Sequence, residues 1–234
     1  MDSNLFRPLK TASLKEEFVL YMEELILSGR LHPGKRLPPE RELAREFGVS
    51  RPVVHEGILI LEARGLVTLR PRHGVIINDY RQNGTLDLLL SLINRKDHEL
   101  GPGLTGDLEH VRIHLERDMV RLICRREKRD ERDFKELREI TRKIGRASRP
   151  EELAELDFGF HLQLSLSSGN AVYALLINTL KPAHMDLLTR FYINEGNREK
   201  VQEYHEQLIR ALRERDEETA VALIERTDSF RGYD

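Results

Sequence analysis

Apolar positions at helical spacing open the chain. Leu14, Phe18, Met22 and Leu25 recur at intervals of three and four, which predicts a first helix, begun by the capping box Ser13-Leu14-Lys15-Glu16 and ended at Gly29. A second, shorter helix is expected over 39–47. Pro38 and Pro39 block a helix before it and fit its first turn, Glu40 and Glu42 suit its positive end, and Gly48 supplies the left-handed residue that stops it. Val49 and Ser50 then form a tight turn, with the Ser50 hydroxyl expected to accept a backbone N–H of a third helix reaching Arg64 and closed by Gly65. On that helix Val54, Ile58 and Leu61 face a core, while Arg51 and His55 share the polar side. Past Gly65 the period falls to two. Residues 66–69 and 75–77 read as strands joined by Arg70, Pro71, Arg72, His73 and Gly74, a hairpin with a basic tip.

The remainder is helical in pattern. A polar connector at 79–84 leads to a short helix at 86–93, and the change of period places a domain boundary near residue 80. One long helix carries Leu108, Val111, Leu115, Met119 and Leu122, and another carries Phe134, Leu137, Ile140 and Ile144. Ser148 and Pro150 open a helix that Gly169-Asn170 stops. The next is expected to run from Ala171 to Tyr192 with a kink at Pro182. Val201, His205, Leu208 and Leu212 mark another, and Asp216 caps a last one bearing Ala220, Leu223, Thr227 and Phe230. The expected organisation is a winged helix-turn-helix (α+β) over 1–78, a linker with a short helix over 79–104, and an all-α bundle of about six helices over 105–234 able to hold a pocket.

Composition narrows the class. With 33% charged and 39% hydrophobic residues, the 234-residue chain reads as globular and mostly helical. It carries neither a signal sequence nor an apolar run of the ~20 residues that span a bilayer, so a cytoplasmic location is expected. Cys124, between apolar neighbours, reads as a core residue. Residues 30–72 hold nine Lys/Arg against five Glu, a local +4 in a chain of net −2. Such an excess suits phosphate contact, and two helices across a tight turn followed by a basic hairpin suit the major groove and its flank. The competing reading is an ordinary helical hairpin with solvated arginines.

The run LPPERELAREFGVSRPVVHEGILILEARGLV followed by RPRHGVIIN resembles the DNA-binding domain of the GntR family of bacterial transcription regulators. The resemblance implies that Arg41, Arg51, His73 and Gly74 occupy operator-contacting positions, with Ser50 at the recognition-helix cap and Pro52, Val53 and Arg72 beside them. His55 departs from the arginine that members often carry there, and lacks its five-donor fork. One recognition helix reads few base pairs, so a homodimer on a palindromic double-stranded operator is expected.

In the second half Asp157 and His161 lie one turn apart on the face of Leu153 and Leu164, and His205 sits on an apolar stripe of a later helix. Converging, they could bind a divalent metal such as zinc or nickel through N and O donors. Alternatively the histidines are satisfied core residues and Asp157 bonds an arginine such as Arg112. This half resembles the ligand-sensing domain of the FadR subgroup, whose metal-binding members use Asp-x3-His and two later histidines. Asp157, His161 and His205 match the first three, and Thr227 stands at the fourth. LAELDFGFHLQLSLSSGNAVYALLINTLKP is similar to the fatty-acid-responsive branch, which implies a metal-free acyl-CoA effector along Phe160, Leu164, Tyr173, Ile177, Phe191 and Tyr192, with His161 as the departure. A metal-dependent hydrolase is a remote alternative, since no general base is evident and the DNA-binding run would be unexplained.

Overall fold

The computed structural model describes the backbone of residues 14–94, 102–128 and 130–231, with side chains for all but 102, 103 and 227–231. Contacts divide the chain into two compact units, Met1–Ser91 and Leu92–Asp234. In the first, α1 (Leu14–Leu27), α2 (Glu40–Phe47) and α3 (Arg51–Ala63) precede an antiparallel hairpin of β1 (Val67–Arg70) and β2 (Gly74–Ile77), then α4 (Tyr80–Asn83) and α5 (Leu86–Ile93). The winged helix-turn-helix expected from the sequence is present. Packing of α1 on α3 depends on Gly57, where a Cβ would lie 2.4 Å from the Phe18 ring. The buried face of α1 is Phe18, Val19, Met22, Glu23 and Ile26. Leu14 is 56% exposed, so the apolar stripe is rotated from the expected one; Ser13 of the expected capping box lies outside the described residues.

The N-terminal unit extends past residue 80 because the chain returns to it. Thr85 Oγ1 donates to the Ala63 carbonyl at 3.0 Å, and Ser91 Oγ donates to Glu23 Oε2 at 3.0 Å. Glu23, wholly buried, also pairs with Arg64. Gly65 has φ +77°, and a Cβ there would stand 1.8 Å from the Asn83 carbonyl oxygen. No other residue fits that crossing.

The second unit is all helical: α6 (Pro102–Arg125), α7 (Glu131–Ile144), α8 (Pro150–Ser167), α9 (Ala171–Thr179), α10 (Lys181–Phe191), α11 (Gly196–Glu214) and α12 (Glu217–Arg231). α8 is the central element, packed on α6, α7, α9 and α10. The single kinked helix expected over 171–192 is two helices, α9 and α10. Leu180 (φ −86°, ψ 0°) ends one and begins the other, and Pro182, lacking an N–H, sits in the first turn of α10, where that loss costs least. Asp216 caps α12 as expected, its Oδ1 accepting the Thr219 N–H at 3.0 Å. Cys124 is buried in the core with Phe134, Phe160 and Leu208. Among the described residues no helix is long and apolar enough to cross a membrane.

Candidate functional site

In the N-terminal unit, α3 buries Val54, Gly57, Ile58 and Leu61, which fixes the rotation of the helix about its axis. Arg51, Pro52 and His55 are exposed on its first turns, Val53 is half-buried, and Arg41 is exposed on α2. Ser50 is the N-cap residue of α3, but its hydroxyl makes no capping bond. Pro52 occupies N2 and has no N–H, which removes one of the two donors such a hydroxyl could accept from. The helix start is held instead by the backbone, Val54 N to Ser50 O at 3.3 Å.

Glu40, at the first position of α2, reaches across the turn. Its Oε2 accepts from Arg51 Nε at 3.1 Å, and its Oε1 lies 2.8 Å from His55 Nδ1. The bond to His55, joined by that to Arg51, holds the Glu40 carboxyl below its usual value. With Glu40 ionised, His55 donates through Nδ1, so Nε2 remains the outward atom. The sequence pattern accounts for Glu40 only as a charge at a helix end and does not reveal this role.

The wing projects beside α3. Its register pairs Arg70 with Gly74 around the exposed tip Pro71-Arg72-His73, and Arg72 is left-handed (φ 66°). Arg36 bridges to Ile76, and a Cβ on half-buried Gly74 would stand 2.8 Å from Arg36 Nε. The guanidinium of Arg36 therefore lies over the hairpin next to its tip. Leu69 N donates to Glu62 Oε1 at 2.8 Å, anchoring the wing to α3.

The bundle holds a buried ionic cluster. Asp157 and His205 are wholly enclosed, and His161 is 2% exposed. One ligand atom from each falls within 4.8 Å of the others. Asp157 Oδ1 lies 3.4 Å from His161 Nε2 and 3.3 Å from His205 Nε2. Donors on one tetrahedral ion with bonds of about 2.0–2.1 Å sit roughly 3.3 Å apart, so the set fits a divalent metal. His161 Nδ1 is 2.9 Å from Glu116 Oε1, which leaves Nε2 to face Asp157. Phe160 stacks on the His205 ring at 3.5 Å and fixes its plane. Thr227 lies on α12, and its side chain is outside those described.

Arg112 is wholly buried on α6, between Glu109 (2.8 Å from Nη2) and Glu116 (2.8 Å from Nη1). The arginine expected as a partner for Asp157 is thus taken by two carboxylates of its own helix. Burial opposes the charge of Arg112, but Glu116 and Glu109 outweigh it and raise the guanidinium further above its ordinary value. Burial likewise opposes ionisation of Glu116, and Arg112 and then His161 overcome it, holding that carboxyl far below the usual range. His161 is raised: burial opposes its charge, while Glu116 and then Asp157 more than compensate. Glu109 and Glu116 escape the sequence pattern because the expected apolar stripe of α6 passes through Val111, which is 49% exposed. Their signal is the i, i+3, i+7 spacing of Glu109, Arg112 and Glu116 on one helix face.

The residues expected along an acyl chain are divided. Phe160 and Leu164 belong to one packed cluster, and Ile177 and Tyr192 to another, against which Tyr173 and Phe191 pack half-buried. The Tyr173 hydroxyl bonds Asp118.

Comparison with known proteins matches residues 14–77 to the model of the bacterial regulatory proteins of the gntR family, and residues 107–227 to the FCD domain. The fatty acid metabolism regulator protein of Erwinia tasmaniensis is 28% identical over 226 residues, 95% of this chain and 87% of its own. That of Proteus mirabilis is 26% identical over 207 residues, covering 88% and 83%. Among solved structures, Lar, which controls expression of the Listeria monocytogenes agr system, is similar in fold, with a TM-score of 0.53 and 20% identity over 96% of this chain and 98% of that one.

Proposed function

The chain belongs to the gntR family of bacterial regulatory proteins and carries an FCD domain, and from that premise we propose that it binds a palindromic operator as a homodimer and releases or engages it in response to an acyl-CoA or related carboxylic metabolite. That it is a DNA-binding transcription regulator, and not the hydrolase considered as a remote alternative, follows from the family itself. The observation that carries the operator reading is the exposure of Arg51 and His55 on α3, with Arg72 and His73 exposed at the wing tip. A guanidinium on the first turn of such a helix reads a guanine edge, and the wing arginines meet phosphate. Two copies double these contacts on a two-fold site. Support for an acyl effector comes from the relatives named for fatty acid metabolism.

A specific observation favours a second reading of the effector. Asp157, His161 and His205 present their donors at the spacing of one metal ion, and Glu116 orients His161. These three would hold a zinc or nickel ion, which when bound supplies a positive centre for an effector carboxylate. In either reading the effector acts only by binding two states of the regulator with different affinity. Operator binding measured with acyl-CoAs of graded chain length, and separately with zinc or nickel plus small carboxylates, decides between them. Chain-length dependence supports the acyl effector, a response needing metal supports the second reading, and no response in either arm contradicts effector control.

A further inference from the structure

Apart from the buried cluster, α7 and α11 enclose a groove of about 680 Å³ on the surface of the bundle. Arg138 and Arg142 enter it from α7, Arg210 and Arg213 from α11. Each pair is spaced three or four residues apart on its own helix, an arrangement of like charges that destabilises a helix. The tendency of basic residues to gather at helix C-termini accounts for Arg142 and Arg213, which lie in the last turns. It does not account for Arg138 and Arg210, set farther back. Glu206, which accepts from Gln202 Nε2 at 3.1 Å, and Glu214 also line the groove, so four guanidinium groups face two carboxylates there. Among the described residues Arg138, Arg142 and Arg210 have no ion-pair partner.

The geometry points to a second ligand site here, taking a small phosphate-bearing anion, with a nucleoside diphosphate as the best-fitting class. Planar guanidinium forks converging from two helices match the oxygens of adjacent phosphates, which lysines would meet only as point charges. The floor is apolar and half-polar: Ile209 is 5% exposed, and Thr141, 3% exposed, donates its hydroxyl to the Leu137 carbonyl. Such a floor suits a base or sugar ring lying beneath the arginines. The volume falls in the range of small-molecule sites, roughly 300–1,000 Å³.

Calorimetric titration of the full chain with ADP, pyrophosphate and adenosine tests the site. ADP is expected to bind, pyrophosphate to bind equally or more weakly according to how much the ring contributes, and adenosine not to bind. Arg138→Gln/Arg142→Gln and Arg210→Gln should each weaken ADP by about tenfold or more, with no loss of thermal stability because like-charge repulsion is relieved. The proposal is overturned if neither ADP nor pyrophosphate binds, if adenosine binds as well as ADP, or if the arginine variants bind like the wild type. It is equally overturned if random-sequence duplex DNA displaces ADP, which would make the groove a nucleic-acid contact.

Discussion

His55 places its Nδ1 2.8 Å from Oε1 of Glu40, the residue that opens the preceding helix. Because Glu40 also accepts from Arg51, one carboxylate orients both Arg51 and His55 on α3. Glu40→Gln is expected to lower discrimination between operator and random DNA by about three- to tenfold, the loss of one charge-assisted bond at a partly exposed site. Affinity for random DNA should rise, since a negative charge beside the expected operator contacts is removed. Competition binding measures both, and an unchanged specificity ratio counts against the positioning role.

The depressed Glu40 carboxyl sets a direction with pH. A group held below its unfolded value contributes stability above that value and loses it as pH falls through the folded one. Wild type should therefore lose its stability advantage over Glu40→Gln as the solution is acidified below the ordinary glutamate range. Denaturant titrations of both proteins across acid pH report it; parallel curves throughout would refute it.

Gly65 should tolerate no side chain. The positive φ, and an Asn83 carbonyl oxygen 1.8 Å from where a Cβ would sit, predict that Gly65→Ala costs at least about 2 kcal/mol in chemical denaturation. A cost below the roughly 0.5 kcal/mol of an ordinary surface change would mean that the return of residues 78–85 onto α3 is not as described.

The ionic cluster of α6 predicts an asymmetric response. Arg112→Leu takes the guanidinium away from two buried carboxylates, leaving Glu116 to His161 and Glu109 to His184, and should cost about 3–5 kcal/mol, whereas replacing all three by apolar residues of similar size should recover most of it. Urea titration distinguishes the two, and a mild single-variant effect would show that the carboxylates reach solvent.

Much of this is legible in sequence. Pro39, Gly48 and Gly65 punctuate α2 and α3, and the drop in period after Gly65 marks the wing, because turn chemistry and burial period are local properties. The i, i+4 spacing of Asp157 and His161 likewise puts both on the inner face of α8. Contacts between elements are not legible. Nothing local joins Glu40 to His55, fifteen positions away, or sends Glu23 to Arg64 and Ser91. The end of α9 at Leu180 is hidden because a proline after a long apolar run is compatible with a kink as well as with a new helix. Glu109 and Glu116 go unread because charged residues on a helix are expected outside unless a buried partner such as Arg112 draws them in.

Metal addition tests the triad separately from DNA binding. At one hundred times its dissociation constant a bound ion adds about 2.7 kcal/mol, a rise in midpoint of several degrees for a unit of this size. His205→Ala should remove the rise with zinc or nickel, and an equal rise in the variant would place the ion elsewhere.

Arg51, on the first turn of α3, is expected to read a base edge. Operators enriched from a random duplex library by the wild type should bind Arg51→Ala with about 1–3 kcal/mol less discrimination, while the salt dependence of non-specific binding changes by no more than one phosphate contact. If Arg51→Ala enriches the same sequence and binds it with unchanged affinity at every salt concentration, the recognition helix does not read DNA as described.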